Sequence, residues 1–145
     1  GEISEGKTFY HGHTYTGNAL GCAAAVASVD RIFETNLLGA LPEKVATLAA
    51  ALARLADHPH VGDVRQCGLM AGLELVADRG TNEPFDPSHR AAARLCLKAR
   101  DFGLIIRPLG DVVVLMPAPG MDPHTLGRML EALHETFDAF FPDAV

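Results

Sequence analysis

The sequence predicts an α+β fold, an antiparallel sheet with helices packed on one face. Three observations carry that expectation. The apolar positions read in the order helix, helix, strand, helix, hairpin, helix. From Val61 onward the spacing changes from the period of a helix to the period of two that marks a strand, clearest in "GLMAGLELV". A length of 145 residues, 48% hydrophobic and 6% aromatic, supplies one ordinary Ala/Leu/Val-rich core and makes disorder a poor description of the chain.

Each element follows from local chemistry. A polar loop from Phe9 opens into a helix expected over Asn18–Glu34. The first half of that helix, "ALGCAAAVAS", has side chains so small that another backbone can approach closely, so it is expected to be buried against a partner element or subunit. Asn36 and Gly39 in "ETNLLGAL" read as terminators. Pro42 and Glu43 suit a first helical turn, and Leu41, Val45, Leu48, Leu52 and Leu55 then recur at helical spacing up to "DHPH". Leu69, Ala71, Leu73 and Leu75 alternate with Met70, Gly72 and Glu74, as in a half-buried strand. "DRGTNEPFDPSH" is a surface loop, after which Pro87 or Ser88 starts a helix through Arg100 with Gly103 as its C-cap. Leu104–Arg107 and Val112–Met116 are β-rich runs joined by Pro-Leu-Gly-Asp, and are expected to pair as a hairpin. Asp122 and Pro123 mark the last helix, with Leu126, Met129, Leu130, Leu133, Phe137 and Phe140 as its apolar stripe.

A net charge of −6, from 12 basic against 18 acidic residues, argues against nucleic acid or an anionic membrane surface as partner, leaving a small molecule or another protein. Cys22, Cys67 and Cys96 are odd in number and widely spaced, which disfavours a disulfide framework or a zinc site; they read as small core residues in a reducing, cytoplasmic compartment. No apolar run has the length of a membrane span, and no basic, apolar leader is visible. The opening "GEISEGKTFY" lacks Met and any core-forming pattern, so the chain is expected to be a piece of something longer.

Two places stand out as candidate sites. In "FYHGHTYTGNALG", Thr14, Thr16 and the amides of Gly12–Gly17 precede a helix N-terminus, where unpaired N–H groups and the positive dipole end favour a phosphate. A plain N-cap is the alternative. His11 and His13, with no acid or cysteine beside them, make a poor metal-ligand set, and His58 and His60 read as a solvated loop. Arg107 closes the apolar run "LII" and is held extended by Pro108. Burying it requires an anion, such as a substrate carboxylate; the alternative is an edge-strand arginine that reaches water or pairs with Asp111.

"HGHTYTGNALGCAAA", the Gly62–Arg65 segment leading to "GLMAGLEL", and "GLIIRPLGDVVVLMPAP" resemble, in order and spacing, the C-terminal part of class III pyridoxal-phosphate aminotransferases over nearly the whole chain. The resemblance implies a homodimeric enzyme of the fold-type I class that moves an amino group between small molecules with pyridoxal 5'-phosphate as cofactor. It implies that residues 1–35 are the end of the large domain, with the phosphate loop and an interface helix, and that 36–145 form the small domain. By the same resemblance Thr14 reaches the cofactor phosphate of the neighbouring subunit, Gly12 and His13 form the adjoining wall, and Arg107 binds the substrate carboxylate. Some members of the family carry a tyrosine where this chain has Val114. The family's catalytic lysine lies further upstream of the loop than this chain extends: Lys7 is too close to the loop, and Lys44 and Lys98 fall on helix positions expected to be exposed. No catalytic residue is therefore assigned within the chain. Two rival readings stand beside this one: another ω-amino acid or ornithine-type member of the same class, and a non-catalytic α+β interaction module derived from such an enzyme.

Overall fold

In a computed structural model the chain is described for residues 3–14 and 16–142, and it forms two compact units, Gly1–Leu38 and Gly39–Val145. In the first, a short 3-10 turn and an extended loop lead to helix α1, Ala19–Glu34. No residue of α1 is buried, and only Ile32 is half-buried. The expected burial of this helix is therefore not met within the chain, whose Leu20, Val26 and Phe33 stand exposed.

Asn36, at φ +47°, turns the chain out of α1, and helix α2, Leu37–Leu55, begins at the next residue. Gly39 and Pro42 thus lie inside α2 and neither ends nor starts a helix. Proline is tolerated because its missing N–H forfeits one bond, to the Leu38 carbonyl, within the first two turns.

The second unit is built on a four-stranded antiparallel sheet made of two hairpins, β1 (Val61–Cys67) with β2 (Met70–Leu75) and β3 (Arg107–Leu109) with β4 (Val112–Leu115), in the order β1-β2-β4-β3. β1 is an element the period did not single out: its core-side positions after the bulge between Val61 and Asp63 are Val64 and Gln66, too few apolar residues to show alternation. Gly68, at φ +59°, makes the tight turn to β2 possible. β3 starts at Arg107 and not at Leu104, and its turn is Gly110-Asp111 and not four residues, because Leu109 already pairs with Val112. Pro108 is accommodated because β3 is an edge strand.

The helix expected from Pro87 to Arg100 is broken. Pro87–His89 is a 3-10 turn, Arg90 at φ +47° interrupts, α3 spans Ala91–Lys98, and a further 3-10 turn, Ala99–Phe102, ends at Gly103 with φ +76°. Helix α4, Pro123–Phe140, starts as the sequence implies, Asp122 accepting from the Thr125 N–H at 3.0 Å. The core lies on one face of the sheet: Ala71, Leu73, Leu75, Val113 and Leu115 cluster with Leu48 and Leu52 of α2, Leu95 of α3, and Leu126, Leu130, Leu133 and Phe137 of α4.

Candidate functional site

In the loop of the first unit, the Thr14 and Thr16 hydroxyls have no hydrogen-bond partner among the described residues. Asn18 caps α1 by accepting from the Gly21 N–H at 2.8 Å, so neither Thr14 nor Thr16 serves as the cap. Thr16 N–H donates to the His13 carbonyl at 3.0 Å, closing a turn that ends at Gly17 with φ +76°. Gly12 precedes this turn and His13 and Thr14 lie on it, all three exposed, and no hydrogen bond engages the Thr14 hydroxyl among the described residues. No acid occurs between Lys7 and Asn18. Hydroxyl and amide donors without a neighbouring carboxylate form a set whose chemistry fits a phosphate. Thr8 Oγ1, further back in the loop, is buried without a partner among the described residues.

In the second unit the face of the sheet turned away from the core carries a cross-strand row. Arg107 pairs with Val114, Val114 with Gly72, and Gly72 with Arg65, so the side chains of the row share one face. The two arginines differ in what they hold. Arg65 donates from one nitrogen to Asp63 Oδ2 and to Glu74 Oε2, both at 2.7 Å. Those hydrogen bonds, Glu74 foremost and then Asp63, push the guanidinium pKa further up. Arg107 makes no ion pair with Asp111 or with any other described residue, and it is exposed, not buried, on the edge strand. The pairing with Asp111 is thus absent from the fold, and so is the burial the sequence suggested, since Leu104 is buried but Ile105 is 82% exposed; within this chain Arg107 is the edge-strand arginine that reaches water.

Arg107 stands at a groove of about 610 Å³ between the Phe102–Arg107 segment, the end of β4 and the first turns of α4. Ile105, Met116, Met121 and Met129 give it apolar walls; Thr125 and Arg128 add polar groups, and no acid lines it. Arg128 was not legible as part of a site, because only the fold brings α4 beside the segment leading to β3. In a chain of net charge −6, a groove that Arg128 lines and Arg107 borders, with no carboxylate, suits an amphipathic acid, although the strand register turns the Arg107 side chain to the sheet face away from α4.

Other residues are placed differently from the sequence reading. Lys44 and Lys98 are half-buried and engaged: Lys44 Nζ donates to the Pro119 carbonyl at 2.7 Å, and Lys98 pairs with Asp101 at 3.0 Å. Lys7 lies 3.7 Å from Glu5. Cys22 and Cys67 are exposed, so only Cys96 is a core cysteine. His58 and His60 are not a solvated loop but sit half-buried among Phe85, Phe137 and Phe141.

Residues 2–137 match the family described as Aminotransferase class-III, and the chain belongs to that family. Its four-stranded antiparallel sheet with helices is the α+β arrangement found among the solved members. Among curated relatives, the chain is 48% identical over 136 residues to the adenosylmethionine-8-amino-7-oxononanoate aminotransferase of Geobacter sulfurreducens, covering 94% of this chain and 30% of that protein. Among solved structures, the enzyme of the same name from Methanocaldococcus jannaschii superposes with a TM-score of 0.82 at 37% identity, covering 96% of this chain and 32% of that one. A PLP-bound aminotransferase mutant from Vibrio fluvialis superposes with a TM-score of 0.85 at 29% identity, covering 99% of this chain and 32% of that one. The chain therefore spans about a third of the length of the relatives it matches.

Proposed function

We propose that this chain is the C-terminal part of a pyridoxal-phosphate aminotransferase that converts 8-amino-7-oxononanoate to 7,8-diaminononanoate in biotin synthesis, with S-adenosylmethionine or lysine as amino donor. Residues 1–35 are the end of its large domain and residues 36–145 its small domain. The 48% identity to a protein of that name carries the reading. The unpaired Arg107 beside an acid-free groove supports it from the side of the chemistry.

Pyridoxal 5'-phosphate, when bound, supplies the electron sink that lets an amino group be moved. The Thr14 hydroxyl donates to its phosphate, and the Gly12–His13 backbone forms the wall beside it; in a homodimer this loop serves the neighbouring subunit. Arg107 offers a planar fork to the substrate carboxylate and so sets which end of the acid faces the reaction. The reacting lysine comes from the part of the enzyme outside this chain, since Lys44 and Lys98 are engaged in the small domain. The chain alone is accordingly inactive. No described helix is long and apolar enough to cross a membrane; the cytoplasmic reading rests on the three widely spaced, unpaired cysteines.

Steady-state kinetics of the full-length protein test the assignment. Arg107→Lys keeps the charge but loses the fork and raises the KM for the oxononanoate, and Arg107→Ala does worse, by about 2–5 kcal/mol if the carboxylate is left buried and unpaired. Cofactor binding stays unchanged in both. A wild-type KM in both variants removes Arg107 from the site.

A further inference from the structure

Two histidines with no part in the proposed reaction sit where α4 ends. His58 follows α2 and His60 immediately precedes β1. The His58 ring meets Phe137 at 5.4 Å between centroids and 79° between planes, and lies 5.2 Å from Phe141. His60 stacks on Phe141 at 4.4 Å and 29°, with Phe85 5.5 Å away. Phe141 is the C-cap of α4, its N–H donating to the Phe137 carbonyl at 2.9 Å. The last turn of α4 is thus held to the connection between α2 and β1 by rings on both sides.

Hydrogen bonds fix the protonation of both imidazoles. His60 Nδ1 lies 3.0 Å from the Ala77 carbonyl and 3.2 Å from the Val76 carbonyl; carbonyls only accept, so this nitrogen carries the proton. The His60 backbone N–H donates to His58 Nδ1 at 3.1 Å, so that nitrogen carries none. A proton arriving on His58 Nδ1 destroys its acceptor role and places a cation in a half-buried site beside His60.

We propose that His58, His60, Phe137 and Phe141 form an acid-released clasp on the last turn of α4: closed while His58 is neutral, opened when His58 takes a proton on Nδ1.

The surroundings favour the neutral form. Burial foremost, and then the neighbouring His60, lower the His58 pKa from 6.5, against the pull of Asp138 from α4. Asp57 is occupied by Arg79 at 3.1 Å, Asp86 beside Phe85 accepts from Ser88, and Arg94 lies over Phe140 at 5.8 Å. One turn before Asp138, His134 faces Arg54 of α2 and is likewise lowered by burial first. For a histidine whose folded pKa is depressed, the stabilisation is complete above 6.5, declines as pH falls below that, and is gone below the folded value.

Hydrogen exchange of the last α4 turn in the full-length protein, corrected for intrinsic rates, reads the clasp. Between about pH 7.5 and about pH 5.5 its protection falls by up to about tenfold, the ceiling set by an open-state imidazole of ordinary pKa, while the β2–β4 amides hold. His58→Phe keeps a ring in place and abolishes the fall; His58→Gln, which keeps an acceptor for the His60 N–H without titrating in this range, abolishes it too and serves if the phenylalanine variant does not fold. His134→Phe leaves the fall in place. The clasp is refuted if protection falls equally in wild type and the His58 variants, if it does not fall at all, or if His58 titrates by NMR at or above 6.5.

Discussion

Replacing Phe137 by alanine removes the largest fully buried side chain of the second unit. The ring is wholly inaccessible and packs with Leu133, Leu130 and the inner face of the sheet in one cluster, so nothing nearby is free to fill the space. A fully buried Phe→Ala change costs about 3–5 kcal/mol, the lost transfer energy plus the cavity left behind. Against a domain stability of about 5–15 kcal/mol this is a large fraction. At roughly 4–8 °C per kcal/mol, the lower bound alone moves the Tm by about 12–24 °C. Phe137→Leu restores most of the volume and stays under about 1.5 kcal/mol. Urea unfolding of the chain followed by circular dichroism gives the difference directly, provided the m-value is unchanged. Because Phe137 also helps to bury His58, the alanine variant should let the His58 pKa rise toward 6.5. A loss below about 1 kcal/mol for the alanine variant would show that the site is not a filled core position.

Other expectations are independent of that one. In the full-length enzyme Thr14→Val should weaken cofactor binding by about 1.5–3 kcal/mol, the worth of a hydroxyl bonded to a charged group, and an unchanged dissociation constant would reduce Thr14 to a loop residue. Ala24→Phe, on the exposed small-residue face of α1, should weaken the proposed homodimer by roughly 1–3 kcal/mol through overpacking, read by sedimentation. In the chain itself, a thiol reagent at about pH 8 should modify Cys22 and Cys67 promptly and Cys96 only on unfolding, since thiolate is the reactive form. Burial raises the Cys96 pKa to about 11, so prompt reaction of all three thiols would mean that α3 opens readily.

Sequence patterns were most legible where one element states its own rule. α4 has an acid cap, a proline at its first position and an apolar stripe, and every buried leucine of that stripe lies in the core. β2 alternates because one face meets the core and the other does not. β1 did not stand out as a strand separate from β2 because its inward residues include Gln66, whose side chain donates to the Val45 carbonyl 21 positions away. The start of α2 was misplaced because Asn36, through one left-handed residue, does what a longer break would otherwise do. His58 and His60 look solvated beside Pro59, and only Phe85, Phe137 and Phe141, distant in sequence, make them part of the interior. Of the candidate site, the loop proposed to hold phosphate and the choice of Arg107 rest on local wording, whereas the lack of an ion pair at Arg107 and the engagement of Arg65 depend on which strands become neighbours.

The strand order has a consequence for how such a chain behaves at high concentration. Both borders of the sheet are poor templates for another strand. β3 is three residues long and has proline at its centre, so it cannot present an unbroken row of donors to an incoming chain. β1 is bulged between Val61 and Asp63 and carries Asp63 and Arg65 on its outward face. Aggregation by backbone pairing, the route to fibrils, is therefore guarded at both ends of the sheet, even though Met70, Leu109 and Met116 leave apolar side chains open to solvent. Copies that stick together should do so through side chains, in amorphous and reversible clusters that dissolve in mild denaturant and do not seed further growth.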